Sequence, residues 1–216
     1  MSRIFDAIVN QDRKLLKRLL PTATEDEINY QNQSGTSPLY VASFNGNTRF
    51  VDLLLRAGAE PNLALNNGTT PLFIASHNGH VGVVDLLLRA GVEPNLARNN
   101  GTTPLFIASQ NGQVGVVELL LSSGADPNLA RNNGWTPLTV ASHMHHNRIV
   151  DLLLEWGAIP PYHPIPIPRS NVYYNDLQFN RARTLRDLME DYGAENTPSL
   201  YDRQLMSRIF SYLPRR

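Results

Sequence analysis

The chain of 216 residues contains no cysteine. Disulfide bridges and thiolate metal sites are therefore excluded, and the composition suits a reducing compartment without requiring one. Neither sign of charge is in surplus: Lys plus Arg is 19, Asp plus Glu is 19, and the formal net charge is +0. A general nucleic-acid binder needs a basic excess to displace counterions, so no nucleic-acid partner is expected. No apolar run approaches the roughly 18–20 residues of a membrane span, so no membrane partner is expected. The N-terminal stretch MSRIFDAIVNQDRK places charges inside its apolar part and has no signal-peptide core. A cytoplasmic location is the expectation, with export by a route that reads no cleavable signal left open. Catalytic motifs are missing too. There is no nucleophile motif, no phosphate loop with its lysine and no paired-carboxylate constellation, so no enzyme, no catalytic residue and no cofactor are expected.

What is present is a repeat. Gly35, Gly68, Gly101 and Gly134 open copies spaced 33 residues apart. The copy at 68–100 reads GTTPLFIASHNGHVGVVDLLLRAGVEPNLARNN, and that at 101–133 reads GTTPLFIASQNGQVGVVELLLSSGADPNLARNN. Looser copies occupy 35–67 and 134–159. A unit this short cannot bury its own apolar face, so it must stack on its neighbours into an elongated array.

Within a unit, an Asn-Asn-Gly tip such as Asn66-Asn67-Gly68 reads as a tight turn, because these residue types tolerate positive φ. Thr70-Pro71, Thr103-Pro104 and Thr136-Pro137 read as helix starts: threonine caps free amides and proline suits the first turn. A short inner helix through Leu72, Phe73, Ile74 and Ala75 then stops at Gly79. A second helix follows, with Val81, Val84, Leu87 and Leu88 at helical spacing and expected to face the core. Gly91 closes it, and Glu93-Pro94-Asn95 leads out to the next finger.

This pattern resembles the ankyrin repeat. The residues that carry the likeness are Gly-x-Thr-Pro-Leu, the inner alanine, Asn-Gly, Val-Val-x-Leu-Leu-Leu and Gly-Ala-Asp-Pro-Asn. The resemblance implies an all-α solenoid over 35–159, in four copies at 35–67, 68–100, 101–133 and 134–159. Residues 1–34 read as a divergent N-terminal cap, with Ala7 matching Ala42 and the polar tract Thr22 to Glu27 interrupting it. The chain departs from the family in three places. The family's histidine after Thr-Pro-Leu is replaced by Tyr40, Phe73, Phe106 and Thr139, so packing must stand in for its hydrogen bonds. The finger aspartate is replaced by Asn32, Leu65, Arg98 and Arg131. His145 stands where other copies have glycine, which predicts a looser or distorted helix end.

Ankyrin-like arrays bind other proteins, through fingers and inner helices that line a concave surface. Carried over by position, the candidate partner contacts at the fingers are Leu65, Thr69, Arg98, Thr102, Arg131 and Trp135. Near the inner-helix ends they are Phe44, Asn45, His77, Asn78, Gln110, Asn111, His143 and Met144. Trp135 replaces Thr69 and Thr102, and tryptophan is enriched among interface anchors; the alternative is that it packs on a neighbouring finger. Arg98 and Arg131 either grip acidic groups or are solubilising charges. The tip asparagines read as turn formers. Phe44 and Met144 either contact a partner or pack beneath a terminal segment. Asp52, Asp85, Glu118 and Asp151 share one repeat position and read as solvated charges. His143, His145 and His146 have the element preference of zinc. Without a carboxylate or thiol at a suitable spacing they are not assigned as a metal site.

Beyond the repeat, prolines at 160, 161, 164, 166 and 168 predict an extended segment over 160–180. A helical segment is expected over 181–216, with Leu185, Leu188 and Met189 in one helix and Leu200, Leu205, Ile209, Phe210 and Leu213 in a second. One role is to cap the apolar end of the array. The other comes from a second resemblance. Leu205-Met206-Ser207-Arg208-Ile209-Phe210-Ser211-Tyr212-Leu213-Pro214, with its Ile-Phe-Ser-Tyr-Leu-Pro core, looks like the first helix of an F-box, truncated, as in ankyrin proteins of viruses and intracellular bacteria. That likeness implies contact between a Skp1-like ubiquitin-ligase adaptor and Leu205, Ile209, Phe210, Leu213 and Pro214. The expected function is thus non-catalytic protein binding by a monomer with a protein partner of unknown identity. The alternatives are a substrate adaptor and a structural scaffold.

Overall fold

The computed structural model describes residues 2–160. These residues form α-helices and turns, with no strand among them. Helices α1 (Arg3–Val9), α2 (Arg13–Leu19) and α3 (Glu25–Ile28) come first, with a 3-10 turn at Leu20–Thr22. Four pairs follow: α4 (Pro38–Phe44) with α5 (Thr48–Arg56), α6 (Pro71–Asn78) with α7 (Val81–Arg89), α8 (Pro104–Gln110) with α9 (Val114–Ser122), and α10 (Pro137–His143) with α11 (Asn147–Glu155). The Pro-rich segment after Pro160, the C-terminal helices and the F-box-like residues Leu205, Ile209, Phe210, Leu213 and Pro214 lie outside the described residues.

Every inner helix starts by the same device. Ser37, Thr70, Thr103 and Thr136 stand at the N-cap in extended conformation, and a proline occupies the first turn. The cap hydroxyl accepts the amide three residues on, at 3.1 Å from Phe73 N to Thr70 Oγ1 and 3.1 Å from Phe106 N to Thr103 Oγ1. Such a cap contributes about 1 kcal/mol. In the last copy Thr139 completes a capping box, its Oγ1 accepting the Thr136 amide at 2.8 Å.

The inner helices α4, α6, α8 and α10 pack side by side in one row, and the outer helices α5, α7, α9 and α11 in a second. Ala42, Ala75, Ala108 and Ala141 are fully buried in the inner row, where a small side chain lets neighbouring helices approach. Leu54, Leu87, Leu120 and Leu153 are fully buried in the outer row, each stabilising by roughly 1.5–3 kcal/mol relative to exposure. The N-terminal segment continues the array: α1 packs on α4 and α2 on α1, with Ala7, Ile8 and Leu16 buried.

The polar tract before Gly35 is not a simple break. It folds into α3, whose cap Thr24 and third residue Glu27 bond reciprocally, at 3.3 Å (Glu27 N to Thr24 Oγ1) and 3.0 Å (Thr24 N to Glu27 Oε2). This turn delivers Ile28 to the core. The expected core stripe of the outer helix needs one correction. Val81 is exposed and Leu88 half-buried, whereas Val83, Val84 and Leu87 are buried. The stripe is centred on Leu87 with its i−3 and i−4 neighbours, and Val81 starts the helix at the solvent edge.

Candidate binding surface

Each finger is a two-bond hairpin. Leu65 N donates to Thr69 O (3.0 Å) and Gly68 N to Leu65 O (2.8 Å); Arg98 with Thr102 and Arg131 with Trp135 repeat the first bond at 3.0 and 2.8 Å. Within the fingers the left-handed backbone falls on glycine, so the tip asparagines are not there for positive φ. They act through their side chains. Asn67 Oδ1 accepts from Thr69 N (3.0 Å) and Thr69 Oγ1 (2.6 Å), and Asn100 Oδ1 does the same for Thr102 at 3.1 and 2.7 Å. Asn66 and Asn99 reach back to the preceding finger, donating to Gln33 O (3.0 Å) and Asn66 O (3.2 Å).

These bonds remove Thr69 and Thr102 from the contact surface expected of them. They are 5% and 4% exposed, with hydroxyls turned into the finger. Trp135 has no hydroxyl to turn inward. Its indole stays 38% exposed and meets the His143 ring edge-on at 5.2 Å.

The finger arginines are held as well. The Arg98 guanidinium lies 5.2 Å from the centre of the Phe73 ring, and that of Arg131 lies 5.4 Å from the Phe106 ring. The two departures from the family pattern therefore pair with each other: where histidine became phenylalanine, aspartate became arginine, and cation–π stacking ties each finger to the inner helix before it. The Nε atoms of both arginines are buried without a hydrogen-bond partner. Freely solvated charges they are not. In the first copy the pair is Tyr40 and Leu65, and Arg98 comes near Tyr40. Burial pushes the Tyr40 phenol above its usual value, and the Arg98 charge partly opposes this.

At the inner-helix ends, two of the candidate contacts prove to be struts. Asn78 Nδ2 donates to Phe44 O (3.0 Å) and Asn111 Nδ2 to His77 O (2.9 Å), each linking one copy to the last. His80 Nε2 donates to the same Phe44 carbonyl at 3.0 Å, and His146 Nε2 to Gln110 O at 3.1 Å; a carbonyl only accepts, so these nitrogens carry the proton. His80 and His146 also lie over the helix-ending glycine of the previous copy. A Cβ at Gly46 would fall 2.7 Å from the His80 ring, and one at Gly112 would fall 2.8 Å from His146 Cε1. Glycine is required there for space as well as for its φ of +68° and +73°. His145 occupies the equivalent position in the last copy, with φ 58°. The expected distortion does not occur. His146 N still donates to Ala141 O at 2.9 Å, as His80 N does to Ala75 O, so the side chain is carried at a cost of about 1–2 kcal/mol.

The candidate residues left facing solvent are Phe44 (51% exposed), Met144 (46%), Trp135, Asn45, His77, Asn111 and His143, with Leu65, Asn78, Gln110, Arg98 and Arg131 half-buried. Among the described residues no group of three metal-ligating side chains converges, and no helix is long and apolar enough to cross a membrane. On the outer helices, Asp52 pairs with Arg56 at 2.8 Å, Asp85 with Arg89 at 3.0 Å and Glu118 with Arg148 at 3.6 Å. Such exposed pairs contribute little.

Sequence reasoning missed two rows. Asn95 Nδ2 donates to Gly124 O (3.3 Å) while its Oδ1 accepts Asp126 N (2.8 Å); Asn128 repeats this with Gly157 (3.2 Å) and Ile159 (2.8 Å). Leu96 and Leu129 are exposed beside the fingers. Pro-Asn-Leu-Ala recurs at 61–64, 94–97 and 127–130, but at 61–64 Asn62 Oδ1 is buried without a partner and Leu63 is half-buried, so the motif marks the position without fixing its role.

Charge is sorted between the two sides of the array. From Gln31 to Pro160 every carboxylate side chain falls on an outer helix or on the loop after it. The fingers and inner helices carry no lysine and no acid, and their charged residues are Arg98 and Arg131. A search of curated proteins finds no match. Residues 4–98 and 82–161 match the family model described as ankyrin repeats (3 copies). With capped inner helices, stacked outer helices and hydrogen-bonded fingers recurring in register over this span, the chain belongs to the ankyrin-repeat family.

Proposed function

We propose that the chain is a non-catalytic protein-binding module that takes a partner protein on the face made by its fingers and inner helices. Ankyrin repeats are in general protein-interaction modules. The observation that carries the reading for this chain is the exposure of Phe44, Trp135 and Met144 on a face whose backbone is locked copy to copy. Large apolar side chains held on a rigid frame bind without a large ordering cost. Phe44 lies at the end of α4, and Trp135 and Met144 flank α10, so the anchors stand at the two outer copies. The nearly identical central copies add length and polar contacts, with His77, Gln110, Asn45 and His143 completing the rim.

The test is capture of partner proteins from a cell lysate by the full chain and by Phe44→Ala and Trp135→Ala variants. The expected result is that an anchor variant loses its partner, with affinity for the identified protein weakened by at least about 1 kcal/mol. Unchanged capture by both variants, beside an Arg89→Ala control on the outer face, overturns the reading.

A second reading rests on the Ile-Phe-Ser-Tyr-Leu-Pro run at 209–214. In it the array selects a substrate while Leu205, Ile209, Phe210, Leu213 and Pro214 dock a Skp1-like adaptor. A chain ended at Ile159 then loses the adaptor and keeps the substrate. Retention of both by the shortened chain sinks this reading and leaves the first. A scaffold that only spaces other assemblies is the outcome if neither face variant nor truncation changes any capture.

A further inference from the structure

Arg98 and Arg131 differ from Arg56, Arg89 and Arg148 of the outer helices. Arg56, Arg89 and Arg148 each meet a carboxylate on the outer surface. Arg98 and Arg131 meet none among the described residues, and no acid or lysine lies on the fingers or inner helices beside them. Their Nε atoms are buried without a partner, and one face of each guanidinium is covered by Phe73 or Phe106. Folding has therefore already restricted two long side chains that would otherwise lose rotamer freedom on binding. What remains accessible is the terminal edge of each planar fork, the part that receives a carboxylate through two parallel bonds.

We propose that Arg98 and Arg131, stacked on Phe73 and Phe106, form a two-point clamp for an acidic, extended segment of the partner protein. This deepens the protein-binding reading and rests on it. The two forks repeat with the inner helices, whose axes pack at about 8–10 Å. An extended chain advances about 3.3 Å per residue, so carboxylates about three residues apart match the two forks. The complementarity is one-sided by construction. From Gln31 to Pro160 the acidic residues stand on the outer helices and the loops after them, where they do not repel the segment. Trp135, across the same finger hairpin from Arg131, receives an apolar residue of the same segment.

The probe is a set of short fluorescent peptides in a Gly-Ser background, each carrying two aspartates at a different separation, with asparagine counterparts. Anisotropy is read with the full chain at low and moderate salt. The aspartate peptide with a separation near three is expected to bind about tenfold more tightly than its asparagine counterpart, and salt should shrink the difference. Arg98→Gln with Arg131→Gln removes the preference, and Arg98→Lys with Arg131→Lys does not restore it, because an ammonium neither stacks nor forks in the same way. Equal binding of aspartate and asparagine peptides overturns the clamp without reliance on any variant. Tighter binding of an oligothymidine strand than of every aspartate peptide overturns it in favour of a nucleic-acid ligand. A partner lost on Trp135→Ala but indifferent to both arginines sinks the clamp and leaves the protein-binding reading standing.

Discussion

Gly112→Ala tests the way one copy sits on the next. Gly112 follows α8 with φ +73°, and a Cβ there would approach His146 Cε1 to 2.8 Å. Two costs add. Alanine in the left-handed region costs about 1–2 kcal/mol, offset by roughly 0.4–1 kcal/mol because the unfolded chain is also stiffened. The His146 ring must then move by several tenths of an ångström, which breaks its 3.1 Å bond to Gln110 O; a net hydrogen bond contributes about 1 kcal/mol. The total is about 2 kcal/mol. Gly124 supplies the control, since it has φ +89° and nothing within 4 Å of a built Cβ. Gly124→Ala bears the backbone cost alone, about 1 kcal/mol. Urea unfolding followed by far-ultraviolet circular dichroism reads both, and a His146→Ala background closes the cycle by reducing the Gly112→Ala cost to that of Gly124→Ala. If Gly112→Ala costs no more than Gly124→Ala in the wild-type background, the close approach of His146 is not what holds glycine at this position.

Thr103→Ala removes the cap of α8, where Phe106 N donates to Thr103 Oγ1, and should lower unfolding stability by about 1 kcal/mol in the same assay. Asn95→Ala breaks two bonds between copies and should cost about 2 kcal/mol. Asn62→Ala at the equivalent position should cost clearly less, because Asn62 Oδ1 is buried without a partner. Tyr40 ionises above the usual phenol range in the folded chain because burial disfavours the phenolate, an effect the Arg98 charge partly opposes. The unfolded chain therefore loses this proton first, so the Tyr40 contribution is fully present below the unfolded pKa and falls as pH rises through the folded one. Ultraviolet titration should show Tyr40 ionising later than exposed tyrosines, and later still in Arg98→Gln.

Residue patterns carried the architecture because its causes are local. Thr-Pro at a helix start, an apolar stripe at helical spacing and glycine after Asn are each read within a few positions, and the period of 33 repeats them until stacking is the available way to bury the stripe. The same local logic misassigned Val81. Spacing names a face but not its centre, which was set by how α7 rests on α6 and its neighbouring outer helices.

The candidate surface was less legible, and the reason is physical. Thr69, Thr102 and Trp135 share one repeat position. Yet the two threonine hydroxyls turn inward to Asn67 and Asn100, while the indole stays out. Whether a residue there is strut or contact depends on its own side chain and on Oδ1 of the asparagine two positions earlier. Asn78 and Asn111 read as surface amides until the carbonyls of Phe44 and His77 are brought within 3.0 and 2.9 Å by the preceding copy. Contacts of this kind join residues 34 positions apart, and no pattern within one copy contains them.

Helix content, repeat period, stacking and the identity of the variable positions thus followed from local chemistry in the chain. The roles of those positions followed from the approach of one copy to the next. Arg98 and Arg131 are the clearest case. As letters they are two charges in a polar loop. In the folded array each lies over an aromatic ring of the helix before it, with its Nε buried, because stacking sets the finger across that helix.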